Sequence, residues 1–275
     1  MKKISFWWCI AIFFAIIWLL IAGIPFYYLI ITSFKSLGEF LSEGLFKLPE
    51  SFKLDNYKRV FQGGFLRYLY NSIILILISL SILLLLSAFA SYPLSRMRFK
   101  LNRPIFNIIV AAMSVPIHIT LIPLFIMSIN THIYDTRWAL VGPNIAFNLP
   151  ISIFILSSFM QSIPKELEEA ADIDGCGKFG TFFKIIFPLS TSGLATLGIY
   201  NGVVIWNEFS FVMVLTQSQN VRTLPLAVWE YQGQYSSNVP VIMTVLCLSS
   251  LPIILLYIFG QDKLVKGMMV GAVKG

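Results

Sequence analysis

The stretch Glu169-Ala170-Ala171-Asp172-Ile173-Asp174-Gly175 is a polar island between two long apolar segments, and it decides how the chain is interpreted. Pro164 can begin a helix because its missing N–H would be unpaired in the first turn anyway, and the acids that follow suit the positive end of the helix dipole. Gly175 and Gly177 then interrupt the helix, since glycine adopts turn dihedrals that other residues resist. The sequence therefore predicts two short helices with a glycine turn between them.

Outside this stretch the chain is strongly apolar. Hydrophobic residues make up 57% of it and charged residues 12%, and the mean hydropathy is +0.80. This balance lies far from that of a soluble globular domain. A helix needs roughly 20 apolar residues to cross a bilayer, and suitable segments lie at 6–31, 71–94, 105–127, 139–160, 189–214 and 239–260. We therefore predict an all-α integral membrane protein with six transmembrane helices and one domain over 1–275.

The basic residues sort by loop in a way that predicts orientation. With the N-terminus inside, most of the 20 Lys and Arg fall on the cytoplasmic side: Lys2, Lys3, Arg96, Arg98, Lys100, Arg103, Lys165, Lys178, Lys184, Lys263, Lys266 and Lys274. Short cytoplasmic loops carry such an excess, whereas long outer loops weigh little. We therefore expect both termini and the loop 161–188 to be cytoplasmic. The sorting also explains the net charge of +7 without a nucleic-acid partner.

The polar stretch and the residues after it resemble the coupling loop of ABC-transporter permeases. The family pattern reads E-A-A, two residues, D-G and later F-x-x-I-x-x-P, and it is filled here by Glu169, Ala170, Ala171, Asp174, Gly175, Phe182, Ile185 and Pro188. Further elements resemble sugar-type permeases, in particular the maltose-type second permease: Ser33-Phe34-Lys35, Asn56-Tyr57-Lys58, Trp206-Asn207-Glu208-Phe209, Arg222-Thr223-Leu224-Pro225 and Gly271-Ala272-Val273-Lys274-Gly275. The resemblance implies the six-span type I importer architecture with a cytoplasmic two-helix coupling loop.

The resemblance also implies the partners of the chain. It would pair with a different permease as a heterodimer and bind two copies of a cytoplasmic ATPase through the coupling loop. A sugar or oligosaccharide would arrive from an extracytoplasmic solute-binding protein, across a prokaryotic cytoplasmic membrane. ATP and Mg²⁺ would belong to the ATPase, so the chain would transport substrate without being an enzyme.

Two further observations predict that the chain itself holds neither a cofactor nor a metal. Gly177-Lys178 is followed by Phe179, where a phosphate-binding loop needs Ser or Thr. His118 and His132 stand apart, without a nearby cysteine or acid cluster at zinc-ligand spacing.

Polar residues inside the predicted spans are candidates for the translocation path: Asn144, Asn148, Asn201, Asn207 and Glu208. Glu208 is an acid within a span, and such acids are costly enough to be functional candidates by default. Its carboxylate could lie in the substrate path, or it could form a hydrogen bond that stabilises permease packing. Glu208 also allows a different class of protein, an ion-coupled secondary transporter or a channel.

The outer segment 216–238 is a candidate for contact with a binding protein. Its candidate contact residues are aromatic and amide side chains: Trp229, Tyr231, Gln232 and Tyr235. The resemblance suggests that they meet the solute-binding protein. The alternative is an interfacial belt of Trp and Tyr that anchors two helix ends.

Overall fold

The computed structural model describes residues 6–42, 44–234 and 238–272, and within these ranges the chain is helical and has no strand. The helices are α1 (Phe6–Ser33), α2 (Leu37–Ser42), α3 (Asp55–Gln62), α4 (Phe65–Arg96), α5 (Asn102–Ala112), α6 (Ile117–Asn130), α7 (Arg137–Gln161), α8 (Glu166–Ile173), α9 (Lys178–Thr181), α10 (Phe187–Leu189), α11 (Thr191–Trp206), α12 (Ser210–Leu215), α13 (Leu224–Gln234) and α14 (Val239–Ala272). A π-helical turn, Phe182–Ile186, lies between α9 and α10. The predicted all-α fold class is confirmed.

Among the described residues, four helices are long and apolar enough to cross a membrane by themselves: Trp7–Ser33, Phe65–Arg96, Arg137–Gln161 and Val239–Gln261. Two more spans result when each of two bent helix pairs is counted as one span. These pairs are α5 with α6 and Lys178–Leu189 with Thr191–Trp206. The part of the chain that the structure describes thus supplies up to six spans, in agreement with the six predicted segments.

The third predicted span, 105–127, is not one continuous helix. α5 ends at Ala112, α6 begins at Ile117, and the two helices are bent by 95° relative to each other. Pro116 explains the break, because its backbone is extended, with φ −68° and ψ 133°. Proline also disfavours the helical conformation in the residue before it. The predicted segment is therefore interrupted by a break between two helices.

The fifth predicted span, 189–214, differs from the prediction at both ends. α11 ends at Trp206, and α12 begins at Ser210 only after a turn. At the other end, a bend of 65° separates Lys178–Leu189 from α11. A hydropathy window does not detect these breaks, because the residues on either side remain apolar.

The chain separates into two compact units, Met1–Leu66 with Ala227–Leu251 and Arg67–Leu226 with Pro252–Gly275. In the first unit Asn56 joins α3 to the end of α1, because its amide donates to the backbone oxygens of Ser33 at 2.9 Å and Lys35 at 2.8 Å. Thr244 of α14 donates to the same Ser33 oxygen at 3.1 Å. Buried polar groups are thus paired across three helices of this unit.

The second unit contains the apolar core that supports the polar stretch. Its buried residues come from α4, from α7 and the connection that follows it, from the π-helical turn and from α11: Ala88, Tyr92, Leu156, Met160, Ile163, Phe182, Ile186 and Leu197. Since residues of both flanking helices meet here, the position of the polar stretch is set by side-chain packing as well as by the chain on either side of it.

Candidate functional site

The candidate site is the stretch 166–181, called the knob below, which consists of α8, α9 and the turn between them. The first turn of α8 carries Glu166, Glu168 and Glu169. Acids at this end are stabilised by the partial positive charge of the helix N-terminus. The sequence prediction of two short helices in this loop is therefore what the structure contains.

A Schellman motif closes α8 and turns the chain into α9. The N–H of Cys176 donates to the oxygen of Ala171 at 2.9 Å, and the N–H of Gly175 donates to the oxygen of Asp172 at 3.1 Å. Gly175 has φ +78°, a left-handed conformation that costs roughly 1–2 kcal/mol for other L-residues. The local backbone therefore favours the glycine of the D-G element.

The predicted coupling residues divide into an exposed and a buried group. The exposed ones are Glu169, Ala170, Asp174, Gly175 and Pro188, Ile185 is half-buried, and Ala171 and Phe182 are buried. The structure therefore gives these residues two different tasks. The exposed residues present a surface, and the buried ones attach that surface to the bundle.

Phe182 is the central attachment residue. Its side chain is 2% exposed, and its ring lies 5.3 Å from that of Phe89, 5.1 Å from that of Tyr92 and 4.9 Å from that of Phe183, measured between ring centroids. Aromatic rings at such distances attract each other in addition to burying apolar area. The knob therefore rests on an aromatic cluster that includes two residues of α4.

The knob exposes three large apolar side chains that were not predicted to belong to the site, and Leu167 is the least exposed of them at 41%. Ile173 is 87% exposed and Phe179 is 80% exposed. Exposed apolar patches that are rimmed by polar residues are typical of protein-contact surfaces. The sequence signal was available, since Ile173 is apolar within the polar island and Phe179 lies between Lys178 and Gly180, but the family pattern does not include them.

Residues of α4 also hold the knob from outside the loop, which sequence analysis missed. Arg96 donates from Nη2 to the backbone oxygen of Ile163 at 2.7 Å. Its Nε lies 2.5 Å from Glu168 Oε1, in an ion pair whose side chains are 3% and 15% exposed. No pattern within the loop indicates this partner, because Arg96 belongs to a distant part of the sequence.

Two of the predicted path residues are interior to the second unit. Asn144 is 1% exposed and Asn201 is 0% exposed. The Asn201 amide donates to Ser152 Oγ at 2.9 Å and to the oxygen of Leu197 at 3.0 Å. In this conformation the Asn201 amide joins α11 to α7, whereas the Asn144 amide donates to the oxygen of Leu140 within α7 at 2.9 Å. The place of both residues in the translocation path stays a prediction.

The other predicted path residues are more accessible. Asn148 is half-buried and donates to the oxygen of Asn144 at 2.8 Å, whereas Asn207 is exposed and donates to the oxygen of Val203 at 2.9 Å. Both amides thus bond within their own helix.

Glu208 has a structural task in the turn between α11 and α12. Its Oε1 accepts from the N–H of Phe211 at 2.7 Å, and its Oε2 accepts from the N–H of Val212 at 3.3 Å. The first N–H groups of a helix have no partner inside the helix, and an acid beside them is favoured by the dipole. The carboxylate therefore closes the start of α12.

The candidates for binding-protein contact are also separated by the structure. Trp229 is 59% exposed and Gln232 is exposed, but Tyr231 is 3% exposed. The Tyr231 hydroxyl donates to the oxygen of Val60 at 3.0 Å. Tyr231 is therefore a packing residue of the first unit in this conformation, and its contact with a binding protein stays a prediction. Tyr235 lies outside the described residues.

Within the ranges that the structure describes, no group of three His, Cys, Asp or Glu side chains is placed to hold a metal ion. The knob itself combines a glycine turn, a buried aromatic base that attaches it to the helices and an exposed surface with acidic and apolar side chains.

Comparison with known proteins identifies the group to which this arrangement belongs. A family model described as "Binding-protein-dependent transport system inner membrane component" matches residues 84–270. The chain belongs to this family. As a transport component of the inner membrane, this permease chain is not an enzyme.

Individual relatives match over nearly the whole permease chain. ORF2 of Caldicellulosiruptor sp. (strain Rt8B.4), which carries the name of an ABC transporter permease protein, is 47% identical over 274 residues, covering 100% of this chain and 98% of the relative. The melibiose/raffinose/stachyose import permease MelC of Bacillus subtilis (strain 168) is 33% identical over 254 residues, covering 92% of this chain and 91% of MelC.

A solved structure shares the fold. The permease chain matches a chain from the crystal structure of a bacterial ABC transporter that imports the acidic polysaccharide alginate, with a TM-score of 0.79 and 23% identity. The match covers 95% of this chain and 98% of that one. The predicted importer-permease architecture is thereby confirmed.

Proposed function

We propose that this chain is the permease subunit of an ATP-driven importer that takes sugars or oligosaccharides from an extracytoplasmic binding protein. Support comes from the family, whose members serve binding-protein-dependent systems, and from the name of MelC, which imports melibiose, raffinose and stachyose. The chain forms half of the translocation path and pairs with a different permease for the other half. Both termini and the knob lie on the cytoplasmic side of a prokaryotic membrane.

The observation that carries this proposal is the knob, an exposed surface on a buried base. The exposed residues of the knob include the acidic side chain of Glu169 and the apolar side chains of Ile173 and Phe179. Such a surface fits a cleft that offers basic groups to the acid and apolar walls to the two large side chains. We assign this cleft to a cytoplasmic ATPase subunit, which binds ATP and Mg²⁺.

The stiffness of the knob suits transmission of force. The Schellman turn at Gly175 and the buried ring of Phe182 leave the knob little freedom to deform by itself. When two ATPase subunits close on ATP, a stiff knob is displaced as a unit and moves the helices attached to it. ATP binding would turn the substrate path outward, and hydrolysis would reset it.

Glu208 gives no support to the alternative of an ion-coupled transporter. Its two carboxylate oxygens already accept backbone N–H groups of α12. Proton or cation binding would weaken these hydrogen bonds, because it withdraws negative charge from the oxygens that accept them.

The first test is purification of the tagged chain from its native membrane in mild detergent, followed by mass spectrometry and an ATPase assay. We expect a second permease and an ATPase to accompany it, with ATP hydrolysis that rises when the binding protein and its sugar are added. A chain that purifies alone, or only with copies of itself and without ATPase activity, would overturn the proposal.

A further inference from the structure

The knob is connected by the chain to α7 on one side and towards α11 on the other, and it also has side-chain contacts with α4. Arg96, in the last turn of α4, reaches the connection between α7 and α8. Its Nη2 donates to the backbone oxygen of Ile163 at 2.7 Å, and its Nε forms the ion pair with Glu168. One guanidinium thus holds both the connection before α8 and the first turn of α8.

The same face of α4 holds the second half of the knob. Tyr92 donates from its hydroxyl to the oxygen of Lys178, the first residue of α9, at 3.2 Å. The rings of Phe89 and Tyr92 both lie against that of Phe182. Residues 89, 92 and 96 are spaced at three and four positions, so they project from one side of the helix. α4 therefore contacts α8, α9 and the π-helical turn from a single face.

Burial distinguishes the Arg96–Glu168 pair from the other ion pair of the knob. The side chains of Lys178 and Asp172 are 57% and 49% exposed, and exposed pairs contribute little to stability because water and salt screen them. The Arg96 and Glu168 side chains are 3% and 15% exposed. Removing one member of such a pair leaves the other charge buried without compensation. The Arg96–Glu168 contact is therefore the one that resists separation.

We propose that Arg96 is a positioning residue that makes α4 move together with the knob. Displacement of the knob by the ATPase then reaches a membrane span to which the knob has no direct chain connection. This inference rests on the proposed function, because it assumes that the ATPase displaces the knob. It adds that the Arg96–Glu168 pair passes this displacement to α4, in addition to the path through the backbone to α7 and α11.

The test is a charge exchange in the complete transporter, reconstituted with its second permease, ATPase and binding protein. The variants are Arg96→Glu, Glu168→Arg and the two together. Arg98→Glu serves as the matched control, because it reverses the same charge two positions away at an exposed site. The readouts are recovery of the ATPase with the tagged chain and the amount of sugar imported per ATP hydrolysed.

We expect each single reversal to retain the ATPase but to lower import per ATP by at least about tenfold, since each places two like charges together where opposite charges are paired. The double exchange should restore most of the import, and Arg98→Glu should behave as the unmodified protein. Single variants that import normally, or a double exchange that stays as impaired as the single variants, would overturn the inference.

If the charge reversals unfold the protein, a conservative variant still tests the role of Arg96. Arg96→Lys keeps the charge, but a single ammonium lacks the fork that reaches Ile163 and Glu168 in two directions. It should assemble normally and still import less per ATP, and normal import would contradict the inference. If the ATPase accompanies no form of the chain, the proposed function itself fails. If it accompanies all forms and the exchange rescues nothing, only the role of Arg96 fails.

Discussion

The knob and the segment around Tyr231 were both expected to contact partners, and the structure treats them differently. In the knob the acid, the turn glycine and three large apolar side chains are exposed above a buried aromatic base. In the other segment Trp229 is exposed, whereas the ring of Tyr231 is buried against α3 of its own unit. The pattern that includes a backbone requirement therefore coincides with exposed side chains, whereas the aromatic segment includes a buried one.

The physical reason lies in what each pattern encodes. Gly175 is needed for a left-handed turn, and such a turn is set by nearby residues alone. An aromatic side chain is equally well suited to a protein core and to a partner surface, because both bury its apolar ring and offer a hydrogen-bond partner to its polar group. Which of the two it meets depends on distant residues, such as Gly63, where a Cβ would lie 2.5 Å from the Tyr231 hydroxyl.

The largest expected effect is a difference in stability between variants at the buried base of the knob and variants at its exposed surface. Phe182→Ala should lower the free energy of unfolding by about 3–5 kcal/mol, because it leaves a cavity among the aromatic rings. Phe179→Ala should leave thermal stability unchanged and weaken recovery of the ATPase with the tagged chain. Thermal denaturation of the purified chain and ATPase co-purification measure the two effects. If both variants lower the thermal stability equally, Phe182 and Phe179 do not have different roles as base and surface residues.

The second test addresses the segment around Tyr231. Tyr231→Phe should cost about 1–3 kcal/mol of stability, because it leaves the buried oxygen of Val60 without its hydrogen bond. Trp229→Ala is the comparison at an exposed position, where we expect unchanged stability and weaker stimulation of ATP hydrolysis by the binding protein. If Tyr231→Phe is as stable as the unmodified protein but responds poorly to the binding protein, Tyr231 is a contact residue after all.

A smaller effect is expected in the turn of the knob. Gly175→Val forces a β-branched residue into the left-handed region, at a cost of roughly 1–2 kcal/mol, which corresponds to about a tenfold change in an equilibrium constant. We expect reduced ATPase recovery and sugar uptake. Gly177→Ala is the matched control, because Gly177 has φ −70° and a Cβ there would meet nothing within 4 Å. Uptake that survives Gly175→Val would contradict the importance of this turn.

The smallest effect is expected at Glu208. Glu208→Gln keeps an oxygen that can accept from the N–H of Phe211 and loses a charge near the start of α12, which is worth about 0.3–1 kcal/mol. Sugar uptake by the reconstituted complex should therefore change little. Complete loss of uptake with an intact complex would show that the carboxylate acts in transport and not only as a helix cap.

The sequence predicted the membrane spans better than their continuity. Hydropathy located every apolar segment because each residue contributes independently to the cost of leaving water. It could not place the 95° bend between α5 and α6, since a proline within an apolar segment is compatible with a kink or with a complete break. Similarly, Asn144 and Asn201 are polar in any environment, and their burial follows from the packing of α7 against α11.

The sequence by itself determined the all-helical membrane architecture, the family and the turn at Gly175, because these depend on composition and on neighbouring residues. Only the tertiary structure decided which knob residues face outward, that Tyr231 is buried and that Arg96 pairs with Glu168. Each of these depends on contacts between residues that are distant in the chain. Local propensities and hydropathy contain no information about such contacts, because the burial of one side chain is set by the residues that pack around it.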